Sequence, residues 1–97
     1  MAKKSAGTKV SEIAPLFKIL ADENRCSAIT FLMRAKVVAS VGAIAETLGM
    51  SHSSVSHMLA ILHDAGIVSY KKKGREVAYS IAKTPRAKRI THLLQRF

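Results

Sequence analysis

Apolar residues recur at helical spacing in five stretches of this chain and alternate with polar ones in two more. Ile13, Leu16, Phe17 and Leu20 stand at i, i+3, i+4 and i+7, which predicts an amphipathic helix from about Ser11 to Leu20. Pro15 should then lie in its first turn, where a missing N–H costs nothing. Cys26, Ile29, Leu32 and Met33 predict the inner side of a second helix, from about Glu23 to Arg34. Asp22 caps it, and Asp22 and Glu23 sit favourably at its positive end. Lys36 to Ser40 reads as a connection with a short strand at Val37–Val38.

The middle of the chain, VGAIAETLGMSHSSVSHMLAILHDA from Val41 to Ala65, reads as two short helices joined by a tight turn. Ser40 caps the first of them, whose inner side is Ile44, Ala45 and Leu48. Gly49 follows at once, the residue best able to take the left-handed conformation that closes a helix. Ser51 caps the next helix, with Val55, Met58, Leu59 and Leu62 as a continuous inner stripe. Its outer face carries His52, Ser53, Ser54, Ser56 and His57, all short and polar. Such a face suits reading base edges in a major groove. A helix–glycine–helix pair is also found in plain helical hairpins, so the flanking segments decide between the two readings.

Gly66 ends that helix, and Ile67–Tyr70 and Val77–Ile81 then alternate with period two. Between them lies KKKGRE, Lys71 to Glu76, with Gly74 as the turn residue of a β-hairpin. Lys71, Lys72, Lys73 and Arg75 are placed to straddle a phosphate backbone or enter a minor groove. Charged residues on a sheet edge also simply resist aggregation. Four cations in five residues, directly after a helix–turn–helix, favour the phosphate reading. Thr84 and Pro85 open a last helix, on which Ile90, Leu93, Leu94 and Phe97 repeat the i, i+3, i+4, i+7 stripe.

Composition narrows the partner. Sixteen Lys and Arg against six Asp and Glu give a net charge of +10, which points to a polyanion, and to nucleic acid over membrane. From Ser69 onward there are nine cations and one acid, Glu76, so the positive field is concentrated in the C-terminal third. No apolar run approaches the roughly 20 residues of a bilayer span, and no hydrophobic region follows the basic start MAKKSAGTK. A cytoplasmic location is expected. Residues 1–9 read as a flexible basic tail and residues 10–97 as one domain, mainly α with a small β-hairpin. Cys26 is the only cysteine, so one chain can form neither a disulfide nor a cysteine-rich zinc site. It reads as a small buried hydrophobe, with a redox role as the alternative. No paired carboxylates and no glycine-rich phosphate loop suggest an enzyme.

Together the LADENR helix start, SVGAIAETLGMSHSSVSHMLAIL and DAGIVSYKKKGREVAYSI resemble the winged-helix repressors of the ArsR/SmtB family, over roughly residues 13–82. The resemblance implies a winged helix–turn–helix fold of about five helices and a two-stranded wing. It also implies a homodimer paired through the first and last helices, here Ile13, Leu16, Phe17 and Leu20 with Ile90, Leu93, Leu94 and Phe97. Ser53, Ser54, Ser56 and His57 match DNA-reading positions, and His52 stands where such proteins often carry Gln. Lys71–Glu76 matches the wing. The chain departs from the family at its metal sites. Ser40, Val41 and Gly42 occupy the place of a Cys-x-Cys, and Lys83, Pro85 and Arg96 fall where ligands of the last helix would be. No metal and no cofactor is therefore expected. The expected activity is sequence-specific binding of double-stranded DNA that represses transcription. An architectural protein with weak sequence preference is the alternative.

Overall fold

A computed structural model describes residues 9–36 and 38–97. Five helices, α1 (Val10–Leu20), α2 (Glu23–Ala35), α3 (Val41–Leu48), α4 (His52–Asp64) and α5 (Pro85–Leu94), surround a three-stranded antiparallel sheet. Its strands are β1 (Ala39–Ser40), β2 (Val68–Lys73) and β3 (Glu76–Ile81), in the order β1-β3-β2. The core is the meeting of the helical stripes. Ile29 and Leu32 of α2, Ile44 of α3, Val55, Leu59 and Leu62 of α4, and Ile90 of α5 are each no more than 2% exposed. Ile67 and Val68 close it from below the wing.

Local chemistry sets the element ends. Ser40, Ser51 and Thr84 each accept a hydrogen bond from the backbone N–H three residues on, capping α3, α4 and α5. Gly49, at φ +68°, turns the chain out of α3 while Met50 N–H donates to the Ala45 carbonyl at 2.9 Å. Gly66 does the same for α4 at φ +78°, with Ile67 N–H on the Leu62 carbonyl. Thr84 has a second role, its hydroxyl donating to the Gly66 carbonyl, so the start of α5 is tied to the end of α4.

The LADENR segment works as a double clamp. Asp22 accepts from Arg25 N–H at 2.9 Å and so caps α2. The Arg25 guanidinium reaches back to the last carbonyls of α1, Ile19 at 2.9 Å and Lys18 at 3.1 Å. A cation there also complements the negative end of the helix. Arg25→Ala is expected to lower stability by about 1–2 kcal/mol, because charged hydrogen bonds are lost at a half-exposed site. An unchanged urea midpoint would show that water replaces those bonds in full.

Five details differ from the sequence reading. Pro15 is the sixth residue of α1 and not in its first turn, because the helix begins at Val10. The carbonyl of Ser11 that loses its partner lies on the exposed side, where water can serve it. Val38 is exposed and outside any strand, and Val37 lies outside the described residues, as do residues 1–8 of the expected tail. The short strand is Ala39–Ser40, paired with Tyr79 and Ala78 of β3, which makes the sheet three-stranded. The hairpin strands are also longer than expected, since Lys71, Lys72 and Lys73 belong to β2, and α5 ends at Leu94, which leaves Phe97 beyond the helix its stripe predicted.

Candidate nucleic-acid interface

On α4 the apolar stripe turns Val55, Met58, Leu59 and Leu62 inward, and this fixes what faces out. His52, Ser53, Ser54, Ser56 and His57 are all exposed. At 100° per residue, Ser53, Ser56 and His57 share the sector opposite the core, and Ala60 lies in its middle. Ala60 was missed because small apolar residues carry little pattern. It stands i+4 from Ser56 and i+3 from His57, the spacing that identifies one surface. A methyl there suits contact with a thymine methyl, beside hydroxyls and imidazole that suit base edges.

The other two positions sit on the flanks. Ser54 accepts a hydrogen bond from the Ser51 hydroxyl at 2.9 Å and borders a hollow formed with Asp22, Asn24 and Met50. The His52 ring packs over Gly42 at the start of α3, where a Cβ would come within 3.3 Å of its Cε1. Gly42 thus leaves room for the imidazole beside the N-terminus of α3.

The wing is a regular hairpin. Lys73 pairs with Glu76 across a two-residue Gly74–Arg75 turn, with glycine at the first position at φ +64°. That is the placement a type II′ turn demands. Side chains alternate along β2, so Lys71 and Lys73 share one face and Lys72 the other. Tyr70 lies opposite Tyr79 with ring centroids 5.5 Å apart, and the His63 ring of α4 lies 5.0 Å from Tyr70, tilted by 46°. This aromatic row fixes the wing to the end of α4. Among the described residues the ion pairs are Lys9–Glu12 and Arg89–Glu12, and the His63 imidazole lies 3.9 Å from the Asp64 carboxylate. Lys71, Lys72, Lys73 and Arg75 are in none of them, so an incoming phosphate displaces no acid.

The expected pairing residues separate into two sets. Leu16 and Ile90 lie in the monomer's own core, at 9% and 1% exposure, and Leu20 and Leu94 pack against it. Phe17, Leu93 and Phe97 are exposed, Ile13 is half-buried, and Val10 is exposed beside them on α1. Arg89 of α5 pairs with Glu12 of α1 at 3.5 Å, an ion pair that links the two helices.

Cys26 is half-buried, and its thiol donates to the Leu20 carbonyl at 3.0 Å. Burial and the nearby Asp22 carboxylate push the thiol above its ordinary value of 9.0, outweighing Arg25. A neutral, hydrogen-bonded thiol is a poor nucleophile. Cys26→Ser should leave DNA affinity unchanged under both oxidising and reducing conditions, and alkylation by iodoacetamide should be slow at pH 7. Rapid alkylation with loss of DNA binding would restore the redox alternative. Among the described residues no three His, Cys, Asp or Glu side chains gather closely enough to hold a metal ion. No described helix is long and apolar enough to cross a membrane.

A capped helix–turn–helix with an outward polar face, followed by an unpaired cationic hairpin, defines a winged-helix DNA-binding protein. The family model described as bacterial regulatory protein, arsR family, matches residues 22–70, and the chain belongs to that family. It is 34% identical over 85 residues to the HTH-type transcriptional regulator CmtR of Mycobacterium tuberculosis, covering 88% of this chain and 70% of that one. It is 35% identical over 74 residues to the transcriptional repressor SmtB homolog of Synechocystis, covering 76% of this chain and 54% of that protein. Among solved structures it resembles the homodimeric winged helix-turn-helix DNA-binding domain of a possible ArsR-family regulator from Mycobacterium bovis. There the TM-score is 0.74 at 26% identity, over 95% of this chain and 88% of that one. The chain is thus a DNA-binding regulator of transcription and not an enzyme.

Proposed function

We propose that the protein is a cytoplasmic, homodimeric repressor that sets α4 of each protomer in successive major grooves of an operator. The observation that carries this reading is the outward sector of α4. It offers hydroxyls, an imidazole and a methyl but no Lys or Arg, while the unpaired cations stand apart on the wing. Sequence is then read by Ser53, Ser56, His57 and Ala60, with His52 and Ser54 at the flanks, and affinity comes from Lys71, Lys72, Lys73 and Arg75 on phosphates. The pairing surface is the apolar set of Val10, Phe17 and the half-buried Ile13 on α1, with Leu93 on α5 and Phe97 just beyond it. The homodimeric Mycobacterium bovis domain and the repressor of Synechocystis support both parts. Two-fold symmetry requires an operator of two half-sites about 34 Å apart.

The test is fluorescence anisotropy against the DNA upstream of the protein's own gene and a shuffled control, across a salt series. Tight binding to the upstream fragment that survives random competitor DNA is the expected result. Equal affinity for both, falling steeply with salt, would replace the repressor with an architectural protein.

A further inference from the structure

Away from the DNA-reading face, a cavity of about 390 Å³ opens between the C-terminal end of α2, strand β3 and α5. Leu32, Met33, Val38 and Ile81 give it an apolar wall, and Ser80, Thr91 and Gln95 line its polar side. Lys36 and Lys83 complete the lining, and no acid takes part. We propose that this cavity binds a small amphipathic carboxylate, its apolar chain against Leu32, Met33 and Ile81 and its charge at Lys36 and Lys83, and that occupancy alters DNA binding.

Four observations carry the assignment. The volume falls in the range of small-molecule sites, and a mainly apolar wall with a few polar groups is their usual make-up. Two cations with no acid select an anion, while the apolar wall excludes a fully hydrated one. Lys36 caps α2 at φ +53°, making it the one non-glycine among the described residues in the left-handed region. Glycine or asparagine would sit there with less strain, yet the position carries a lysine, which lines the cavity. Val38, next to it on the rim, is 59% exposed, an apolar surface that a ligand chain would cover.

The position links the cavity to both working surfaces. Ser80 and Ile81 belong to β3 of the wing. Thr91 and Gln95 occupy one flank of α5 and its C-cap, while Leu93 lies about 160° around the same axis from Thr91. A ligand pressing on one flank of α5 therefore moves the other flank, which the proposed dimer uses. The effect on DNA rests on the repressor reading; the binding itself does not.

Octanoate is the probe, with octanamide and acetate as controls, titrated into the full chain by calorimetry and by amide NMR. Saturable octanoate binding is expected, with shifts centred on Leu32, Ile81 and Thr91, and acetate should not bind. Octanamide should bind about tenfold more weakly, since both exposed ion pairs are lost. Lys83→Gln and Lys36→Asn should each weaken octanoate about three- to fivefold, the asparagine keeping the left-handed backbone. Equal affinity for octanoate and octanamide, indifference to Lys83→Gln, shifts centred on Phe17 and Leu93, or no saturable binding would each overturn the site. Operator affinity measured with and without octanoate is the second arm. Tight operator binding that octanoate leaves unchanged would overturn the effector role, whereas no operator binding in its absence would instead refute the repressor reading.

Discussion

Replacing Lys71, Lys72, Lys73 and Arg75 together by alanine is expected to lower DNA affinity about a thousandfold and to flatten its salt dependence. All four side chains are exposed and paired with no acid among the described residues, so their counterions are free to be released when phosphates replace them. The strand alternation limits the count. Lys71 and Lys73 face one way and Lys72 the other, so two or three of the four reach one phosphate backbone at once. At about 0.9 per phosphate, the log–log salt slope of a dimer should fall by roughly four to five. The hairpin itself should survive, because Val68 pairs with Ile81 and Tyr70 with Tyr79 independently of the lysines. A Lys71→Ala, Lys73→Ala double variant should lose more than Lys72→Ala by a ratio beyond simple counting. An unchanged slope in the fourfold variant, with the fold intact by circular dichroism, would remove the wing from the interface.

The parts of this fold written in local chemistry were legible in the chain. The five helical stripes, the caps at Ser40, Ser51 and Thr84, and the glycine stops at Gly49 and Gly66 each depend on a few neighbouring residues. Where the outcome depends on distant partners, the chain is silent. Ala39 and Ser40 have no strand propensity of their own and pair only because β3 offers them an edge. Lysines are poor strand formers, yet Lys71 to Lys73 continue β2 because the register from Val68 opposite Ile81 and the tight Gly74–Arg75 turn leave them no other path. The outward face of α4 was legible from its stripe, apart from Ala60, whose small side chain gives no signal until the buried face is known. The stripes of α1 and α5 were also legible, but not which residues of each serve the monomer. That division depends on how deeply each helix sits, which only the packed core decides.

The same division yields the other large effect. Phe17→Asp and Leu93→Asp, separately or together, should convert the protein to a folded monomer with DNA affinity reduced at least about a hundredfold. Both residues are exposed in the monomer, at 57% and 38%, so a carboxylate there meets water and leaves the core intact. In a dimer the same carboxylate would be buried among apolar side chains without a partner, which is strongly unfavourable. Losing the partner removes the second half-site, and with it an effective-concentration gain of about 10²–10⁴. Leu16→Ala and Ile90→Ala provide the contrast. These two point inward, so each should cost about 2–5 kcal/mol of stability through lost burial and a residual cavity. Sedimentation equilibrium read alongside urea unfolding separates the outcomes. If Phe17→Asp and Leu93→Asp both remain dimeric, the protomers pair elsewhere, and the half-site spacing must be derived from another surface. If they become monomeric yet hold the operator as tightly as before, one α4 and one wing suffice, and two-fold symmetry contributes nothing to recognition.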